Sequence, residues 1–352
     1  SIPLRARSRP FQRSSRVDLG QRDGTYVIQD VYAGRGLHGV QRGAIHKIRV
    51  VAIEFRAAGI RCNYSRGPAG AALSSTPVSI GNGSWDPKVI LGDAKVYDDG
   101  SACFKVPAHT PVYFQALDDR GRAVQTMRSW STLQPGETQQ CVGCHEAKNC
   151  APNPPAVPLA ALKGAHTLEP FYGKTRGVSF AAEIQPIFDK HCIRCHRDRQ
   201  QDIDWQRDPN ASLPEGDLAF SLLAEETIEE KSGRRWSDSY LRLTAALSRD
   251  IGSGLRCLQG RPNRLVHWIS VQSEPSMLAP NSAGAVRSDL LKMLEDGHGG
   301  VNLDRESLEK LAAWMDLLVP YCGDYVEANA WTDEEKLKYQ HFSEKRKRLA
   351  TK

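Results

Sequence analysis

The sequence contains no long apolar run. None of its apolar stretches approaches the roughly 18 residues that a membrane-spanning helix requires, so we expect no membrane span. It also shows no signal peptide and begins with Ser rather than Met, so we expect a processed chain or a piece of a longer one. No nucleic-acid-binding motif accompanies the basic residues at its two ends, and we expect those ends to be solvated rather than bound to nucleic acid.

Cysteine and histidine, in contrast, are concentrated at two places. The segment "CVGCHEAKNC" covers 141–150 and "HCIRCH" covers 191–196, and each contains Cys-x-x-Cys-His. A redox dithiol would need a thioredoxin-like βαβ context, which neither copy has. A zinc site would need two cysteine pairs about 15–20 residues apart, or a cysteine pair followed by spaced histidines. Zinc is therefore a minor alternative.

A histidine directly after the second cysteine is typical of covalent haem attachment. On a helical turn, residues three and four positions apart share a face, so both thiols can reach one porphyrin while the imidazole turns to its iron. The sequence therefore predicts two covalently bound haem c groups. The predicted attachment residues are Cys141 and Cys144 for the first haem and Cys192 and Cys195 for the second, with His145 and His196 as the respective iron ligands.

The same motifs predict the compartment. Haem is attached to Cys-x-x-Cys-His on the outer face of the bacterial inner membrane, so we expect a periplasmic or otherwise exported protein. Disulfides are permitted there. An odd number of cysteines lies outside the motifs, so at least one has no disulfide partner within the chain. These five cysteines are Cys62, Cys103, Cys150, Cys257 and Cys322.

The length of 352 residues suggests two domains, and the apolar pattern changes along the chain. Segment 44–55 is rich in β-branched residues, and 93–130 has the alternation and turn signals of a β-meander. After a proline-rich stretch, apolar residues recur at helical spacing in 179–196, 287–300 and 304–320. We predict an α+β fold, with a β-rich, sandwich-like haem-bearing domain followed by a mainly α-helical c-type cytochrome domain.

The predicted boundaries follow these changes in pattern. They are an N-terminal extension (1–24), the β-rich domain (25–150), a linker (151–175), the helical domain (176–325) and a charged C-terminal helix (326–352). The segment "GRGLHG" at 34–39 matches the dinucleotide-binding pattern Gly-x-Gly-x-x-Gly. Because it leads into a strand instead of opening a helix, we interpret it as a loop.

The second iron ligands decide what two such haems can do. An iron with one protein ligand is open for chemistry, whereas an iron with two mostly carries electrons. For the second haem we predict His298, which lies in the glycine-flanked loop "DGHGG", with Met277 as the alternative. For the first haem no residue stands out among His38, His46 and His109, so we expect that haem to be open to small molecules.

Two pairs of segments resemble a known family. Segments 29–50 and 85–146 resemble the middle domain of hydrazine synthase alpha subunits, and 180–196 with 288–325 resemble the c-type cytochrome domain that follows it. The resemblance implies an active-site haem on the middle domain and an electron-transferring haem with two histidine ligands on the last domain. A β-propeller precedes both domains in that family, so this chain resembles the C-terminal part of a longer polypeptide.

This chain departs from the family at one ligand. In hydrazine synthase a tyrosine four residues after the first motif histidine binds the iron, while that histidine turns to a zinc ion. Asn149 stands at that position here, so we expect His145 to bind its own iron.

Three functions are compatible with these residues. The leading hypothesis is an exported dihaem c-type cytochrome that transfers electrons to redox partners or sister subunits within a larger redox protein or complex. The second is a haem enzyme of hydrazine synthase alpha type that acts on a small nitrogen or oxygen species at the first haem. The third is a structural haem-bearing subunit of an assembly.

The motifs predict a stoichiometry. Protein matured in a cell with haem-attachment machinery should carry two covalent haems, visible in its intact mass and after acid-acetone extraction. Replacing Cys141 and Cys144 by Ala should remove one haem and leave the other, because each motif binds its own porphyrin. An intact mass with one haem or none in the unmutated chain would contradict the dihaem prediction.

Overall fold

The computed structural model describes most of the chain. The described residues are 14–54, 78–80, 86–145, 157–197, 221–229, 234–245, 247–250, 256–259, 263–269, 277–328 and 333–350. Cys62, Asn149 and Cys150, which the sequence analysis discusses, lie outside these ranges. Among the described residues, no helix is both long enough and apolar enough to cross a membrane.

Strands dominate the first half of the described chain and helices the second. The strands are β1 (Asp23–Ile28), β2 (Lys47–Ile53), β3 (Lys88–Lys95), β4 (Ala102–Pro107), β5 (Val112–Leu117), β6 (Ala123–Thr126), β7 (Thr138–Cys141), β8 (Arg176–Gly177), β9 (Glu226–Glu229), β10 (Arg234–Ser237), β11 (Leu247–Asp250) and β12 (Arg256–Gln259). The α-helices are α1 (Leu159–Lys163), α2 (Gln185–His191), α3 (Asp238–Leu243), α4 (Asp289–Glu295), α5 (Arg305–Asp316), α6 (Tyr325–Ala328) and α7 (Asp333–Ala350).

Two sheets form the β-rich half. One has the strand order β4-β1-β7, in which β1 is antiparallel to β4 and parallel to β7. The other has the order β6-β5-β2-β3-β8 and is antiparallel throughout. The predicted meander is wrong in one respect, because β4 leaves its sequence neighbours and joins the other sheet. The reversal is made at Gly100, whose φ of 82° is available to glycine at little cost.

The two sheets pack against each other through aromatic side chains. Tyr26 of β1 meets Phe114 of β5 edge to face, with ring centres 4.9 Å apart, and Phe104 of β4 meets the same ring at 5.4 Å. Val50 of β2 is buried in this core as well. The sandwich-like arrangement predicted for this half therefore matches the packing of its two sheets.

The second face of the five-stranded sheet is covered by the helical half. Val51, Ile90 and Tyr113 lie in one buried cluster with Phe180 and Trp314. Strand residues alternate between faces, so Val50 and Val51 enter different cores. This explains why β2 reads as a continuous apolar run, since strands covered on both faces lack the alternation of half-exposed strands.

One charged pair is buried between the sheet and the helical half. Arg49 of β2 is fully buried and donates two hydrogen bonds to Asp93 on β3, at 3.0 and 3.1 Å. Its guanidinium also lies 4.3 Å from the ring centre of Phe171. Removing one member of such a pair leaves an uncompensated buried charge, which typically costs about 3–5 kcal/mol.

The helix that leads to the second motif begins with a π-helical turn. Phe180, Ile184, Ile187 and Phe188, which the sequence placed on one helical stripe, are all buried. Pro186 lies in the first turn of α2, where its missing N–H needs no partner. From the sequence, Pro186 would either bend this helical stripe or lie near a helix start; it lies at the start of α2, directly after the π-helical turn.

The ends of α4 and α5 follow the predicted signals in part. Gly297 lies just after α4 with a φ of 88°, as expected for a helix stop. Ser288 occupies the N-cap position of α4, but its hydroxyl oxygen accepts from the His267 backbone N–H at 2.9 Å. Helix α5 ends at Asp316, before Pro320, because Leu318 and Val319 adopt left-handed conformations.

The helical half also contains strands that the sequence reasoning missed. The hairpins β9–β10 and β11–β12 interrupt it. The segment "SYLRLTAALSRD" at 239–250 favours a helix by its pattern, but α3 covers only its beginning and β11 its end. Strand β8 pairs with β3, so the five-stranded sheet extends into the range predicted as helical. Short polar strands lack a clear apolar period, which is why pattern alone did not identify them.

A buried carboxylate ties the sheet to the helices. Asp316 at the end of α5 accepts hydrogen bonds from the backbone N–H of Ala123 in β6 and of Ala285, each at 2.8 Å. A side chain at Gly284 would overlap its Oδ1. Burial raises the pKa of Asp316 to about 7, against the hydrogen bonds and Arg49, which favour the charged form.

This raised pKa predicts how stability depends on pH. An unfolded Asp has a pKa of about 3.9, so between about pH 4 and pH 7 the folded state holds more protons than the unfolded state. As pH rises through this range, Asp316 ionises in the unfolded state while it stays protonated in the folded state. The free energy of unfolding should therefore fall by about 4 kcal/mol. Asp316→Asn should remove that pH dependence, although it loses one accepted hydrogen bond and is less stable at pH 4.

The measurement is denaturant unfolding of both proteins from pH 4 to pH 8. The unmutated chain should be the more stable protein at pH 4 and should lose this advantage as pH rises, and the order should reverse towards pH 7. The reason is that its loss of about 4 kcal/mol exceeds the cost of about 1–3 kcal/mol for one missing hydrogen bond. Asp98→Asn, at an exposed turn, is the matched control and should leave the pH profile unchanged. A constant gap between the unmutated chain and Asp316→Asn would contradict the assignment.

Candidate haem sites

The first Cys-x-x-Cys-His motif begins on a strand. Cys141 is the last residue of β7 and pairs with Ile28 of β1. The ladder continues past the strand, since the N–H of Gln29 donates to the Cys141 carbonyl at 2.9 Å. The helical turn assumed for this motif from its spacing is therefore wrong. His145 ends the motif exposed and with a φ of 58°, a conformation that is uncommon outside glycine.

A glycine-rich loop holds the second half of this motif. We name residues 33–38 the clamp loop. Its Gly36 N–H donates to the carbonyl of Cys144 at 3.0 Å, and its Arg35 N–H donates to the carbonyl of His145 at 3.4 Å. A Cβ on Gly36 would lie 2.5 Å from Cys144 Sγ, and one on Gly143 would overlap the carbonyl oxygen of Ala33. Only glycine allows these two backbones to approach so closely.

The clamp loop is fixed on its other side as well. The amide of Gln125 in β6 is buried and donates to the carbonyl of Gly36 at 2.6 Å and to that of Leu278 at 2.8 Å. Leu37 of the loop is buried in the core between the two sheets. This segment is a loop, as predicted from its sequence. Its repeated glycines are the sequence signal for the close approach of its backbone to that of Cys144.

The second motif lies at the end of α2. Cys192 caps the helix, and the backbone N–H groups of Cys195 and His196 both donate to its carbonyl at 3.0 Å. The helical-turn geometry expected for a Cys-x-x-Cys-His motif is present here. Burial raises the pKa of the Cys192 thiol to about 11, with a smaller contribution from Cys195, so this thiol is neutral at pH 7.

The fold brings His298 to the second motif. The ring centres of His196 and His298 lie 6.1 Å apart, with an angle of 29° between the rings. Two metal–nitrogen bonds of about 2 Å, plus about 1 Å from each nitrogen to its ring centre, separate two axial imidazoles by about 6 Å. The separation of the two rings therefore equals that of two ligands of one iron. Gly297 and Gly299 have positive φ angles and let the loop turn the histidine out of α4.

The other ligand candidates lie elsewhere. Met277 immediately precedes Leu278, whose carbonyl is bound by the same Gln125 amide that holds the clamp loop, so it lies on the side of the first motif. His109 follows Pro107, which pairs with Asp23 at the opposite end of β1 from Cys141. At about 3.3 Å per residue, those two ends of the strand are about 17 Å apart.

The cysteines outside the motifs are only partly described. Cys103 lies on β4 and is buried, and burial raises the pKa of its thiol. Cys322 is buried at the end of the helical half. The side chain of Cys257 in β12 lies outside the described residues, as do Cys62 and Cys150.

Residues 43–146 match the family model of the hydrazine synthase alpha subunit middle domain. This range contains the whole first motif and lies within the predicted β-rich domain. The chain resembles the hydrazine synthase alpha subunit.

Comparisons with one known sequence and one solved structure agree with this resemblance. The hydrazine synthase subunit alpha of Kuenenia stuttgartiensis is 37% identical over 79 residues, which are 22% of this chain and 10% of that protein. The solved hydrazine synthase of Kuenenia stuttgartiensis matches 86% of this chain and 43% of its own chain, at 18% identity and a TM-score of 0.56. That structural likeness covers both halves and concerns the fold alone. The chain thus spans less than half of either relative.

The ring pair predicts the ligation of the second haem. His298→Ala should convert that haem from low spin to high spin and shift its potential, because one strong axial ligand is lost. The exposed, glycine-flanked loop has little packing to lose, so the fold should survive. Absorption and electron paramagnetic resonance spectra give the spin state. Met277→Ala is the comparison, and a change at the second haem in that variant alone would exclude His298 as the ligand.

Proposed function

We propose that this chain is an exported dihaem c-type cytochrome that transfers electrons within a larger redox protein or complex. The observation that carries the proposal is the pair formed by His196, which ends a Cys-x-x-Cys-His motif, and His298, at a ring separation of 6.1 Å. Two imidazoles at this spacing close an iron to substrates and suit it to electron transfer.

At the second haem, four side chains have distinct roles. Cys192 and Cys195 would form the two thioether links, and His196 and His298 would bind the iron from its two sides. The helical turn keeps both thiols and His196 on one face, while the glycine loop supplies His298 from a separate element. When bound, such a haem accepts and releases one electron without exchanging ligands.

At the first haem, Cys141 and Cys144 would form the thioether links and His145 would bind the iron. The clamp loop fixes the carbonyls of Cys144 and His145, so the motif is held without a helix. Strand β7 continues the β-sandwich into the motif, which gives the attachment site a rigid base.

The name of the curated relative supports sister subunits or a redox partner, because that protein is called a subunit. An electron carrier of this kind needs an electron donor and an electron acceptor, so the proposal includes redox protein partners, which are either sister subunits or separate proteins. The proposed function involves neither nucleic acid nor a membrane span.

A haem enzyme of hydrazine synthase alpha type is the second candidate. One observation favours it, since the matching family model covers residues 43–146 and so includes the first motif. In this case a small nitrogen or oxygen species would react at the first haem, and the second haem would supply electrons. Carbon monoxide distinguishes the two functions, because it binds a reduced haem only at an open axial position.

The electron-transfer function predicts rapid exchange between the two haems. Mixing the oxidised dihaem protein with less than one equivalent of reductant should distribute the electron over both haems at a rate independent of protein concentration. The Cys141→Ala/Cys144→Ala variant, which keeps one haem, is the control and should show a single reduction phase. A redistribution rate proportional to protein concentration would mean exchange between molecules and would contradict the proposed function.

A further inference from the structure

We propose that His38 is the second axial ligand of the first haem iron. The inference rests on the proposed function, since it requires a haem attached at Cys141 and Cys144. It deepens that function by assigning the one ligand position for which the sequence offered no preference.

The first step is the contact between the clamp loop and the motif. Arg35 and Gly36 donate consecutive backbone hydrogen bonds to His145 and Cys144, at 3.4 and 3.0 Å. The loop therefore runs alongside the residues that would hold the porphyrin and its iron. Of the three histidines considered for this haem from the sequence, His38 lies on the loop whose backbone is hydrogen-bonded to Cys144 and His145.

The second step concerns the distance between the two histidines. The backbone N–H of His38 donates to the Arg35 carbonyl at 3.2 Å, which closes a turn. A turn of this kind keeps its first and last Cα atoms within about 7 Å. Because Arg35 is itself hydrogen-bonded to His145, this turn places the backbone of His38 close to the backbone of His145.

The third step is the way the loop presents its side chains. Gly36 and Leu37 are buried, and Gln125 holds the Gly36 carbonyl at 2.6 Å, so this part of the loop is anchored. His38 follows directly and is exposed, as is His145. An exposed imidazole on an anchored backbone is available to a metal with little loss of conformational entropy on binding.

The competing residues are bound less directly to the motif. The backbone of His46, just before β2, is hydrogen-bonded to Leu117 and Val96 at the other sheet. His109 lies at the far end of β1. Met277 precedes Leu278, which Gln125 links to the clamp loop.

Ligation by His38 changes what the first haem can do. With His145 and His38 on opposite sides, the iron is six-coordinate and low spin, and it has no vacant position for a small molecule. The proposal differs from the open first haem predicted from the sequence, because the contacts of the clamp loop with the motif are not visible in sequence spacing. It also favours the electron-transfer function over the enzyme.

The experiment compares the dihaem protein with His38→Ala. In the unmutated protein both haems should be low spin, and the reduced protein should not bind carbon monoxide. In His38→Ala half of the haem should become high spin, and one carbon monoxide per chain should bind. Added imidazole should restore the low-spin spectrum, because it supplies the missing ligand without the side chain. His46→Ala is the matched control and should leave the spectrum unchanged.

A second variant keeps the test independent of any folding defect. His38→Met should retain six-coordination but give the charge-transfer band of a methionine-bound ferric haem. If His38→Ala leaves both haems low spin while His46→Ala or Met277→Ala opens one, the assignment to His38 is overturned. Carbon monoxide binding to the unmutated protein would overturn it as well. If the unmutated protein carries no covalent haem at the first motif, the proposed function itself is refuted. Mass spectrometry of the intact protein detects this outcome.

Discussion

The five-stranded sheet is covered on both faces, and the remaining architecture depends on this constraint. Its β2 strand sends Val50 into the core shared with the smaller sheet and Val51 into the core shared with the helices. A sheet buried on both faces has no solvent side for a charged residue. Arg49 is therefore paired with Asp93 across neighbouring strands and packed on Phe171. Asp316 accepts backbone hydrogen bonds from Ala123 of β6 and from Ala285, and these bonds join the sheet to the helical half.

The two haem motifs occupy different structural settings within this frame. The first continues a strand and is secured by backbone hydrogen bonds from the clamp loop, whereas the second completes a helical turn and meets His298 from another element. The same five-residue pattern thus fits two backbones, because thioether links need only two thiols near one porphyrin edge. A haem bound at each motif would therefore have its own protein surroundings, and haem potentials respond to such surroundings.

The features predicted correctly are those in which one residue type has one physical consequence. The helical turn of the second motif and Gly297 as a helix stop follow from local chemistry and spacing. The loop position of His298 was visible in the sequence, but its contact with His196, far away in the chain, is a product of the fold. The β-rich first half followed from branched and alternating residues. Reasoning was least successful for the hairpins β9–β10 and β11–β12, whose short polar strands carry no apolar period, and for the path of β4, which leaves its neighbours for another sheet.

By itself, the sequence determined the two Cys-x-x-Cys-His motifs, the division into a β-rich and a helical half, and the resemblance to hydrazine synthase alpha subunits. These features depend on residues close together in the chain. Only the tertiary structure decided which distant residues meet. It brought the clamp loop against Cys144, Gln125 between Gly36 and Leu278, and Asp316 against β6. Such contacts arise from the packing of two sheets and several helices, and no local spacing encodes them.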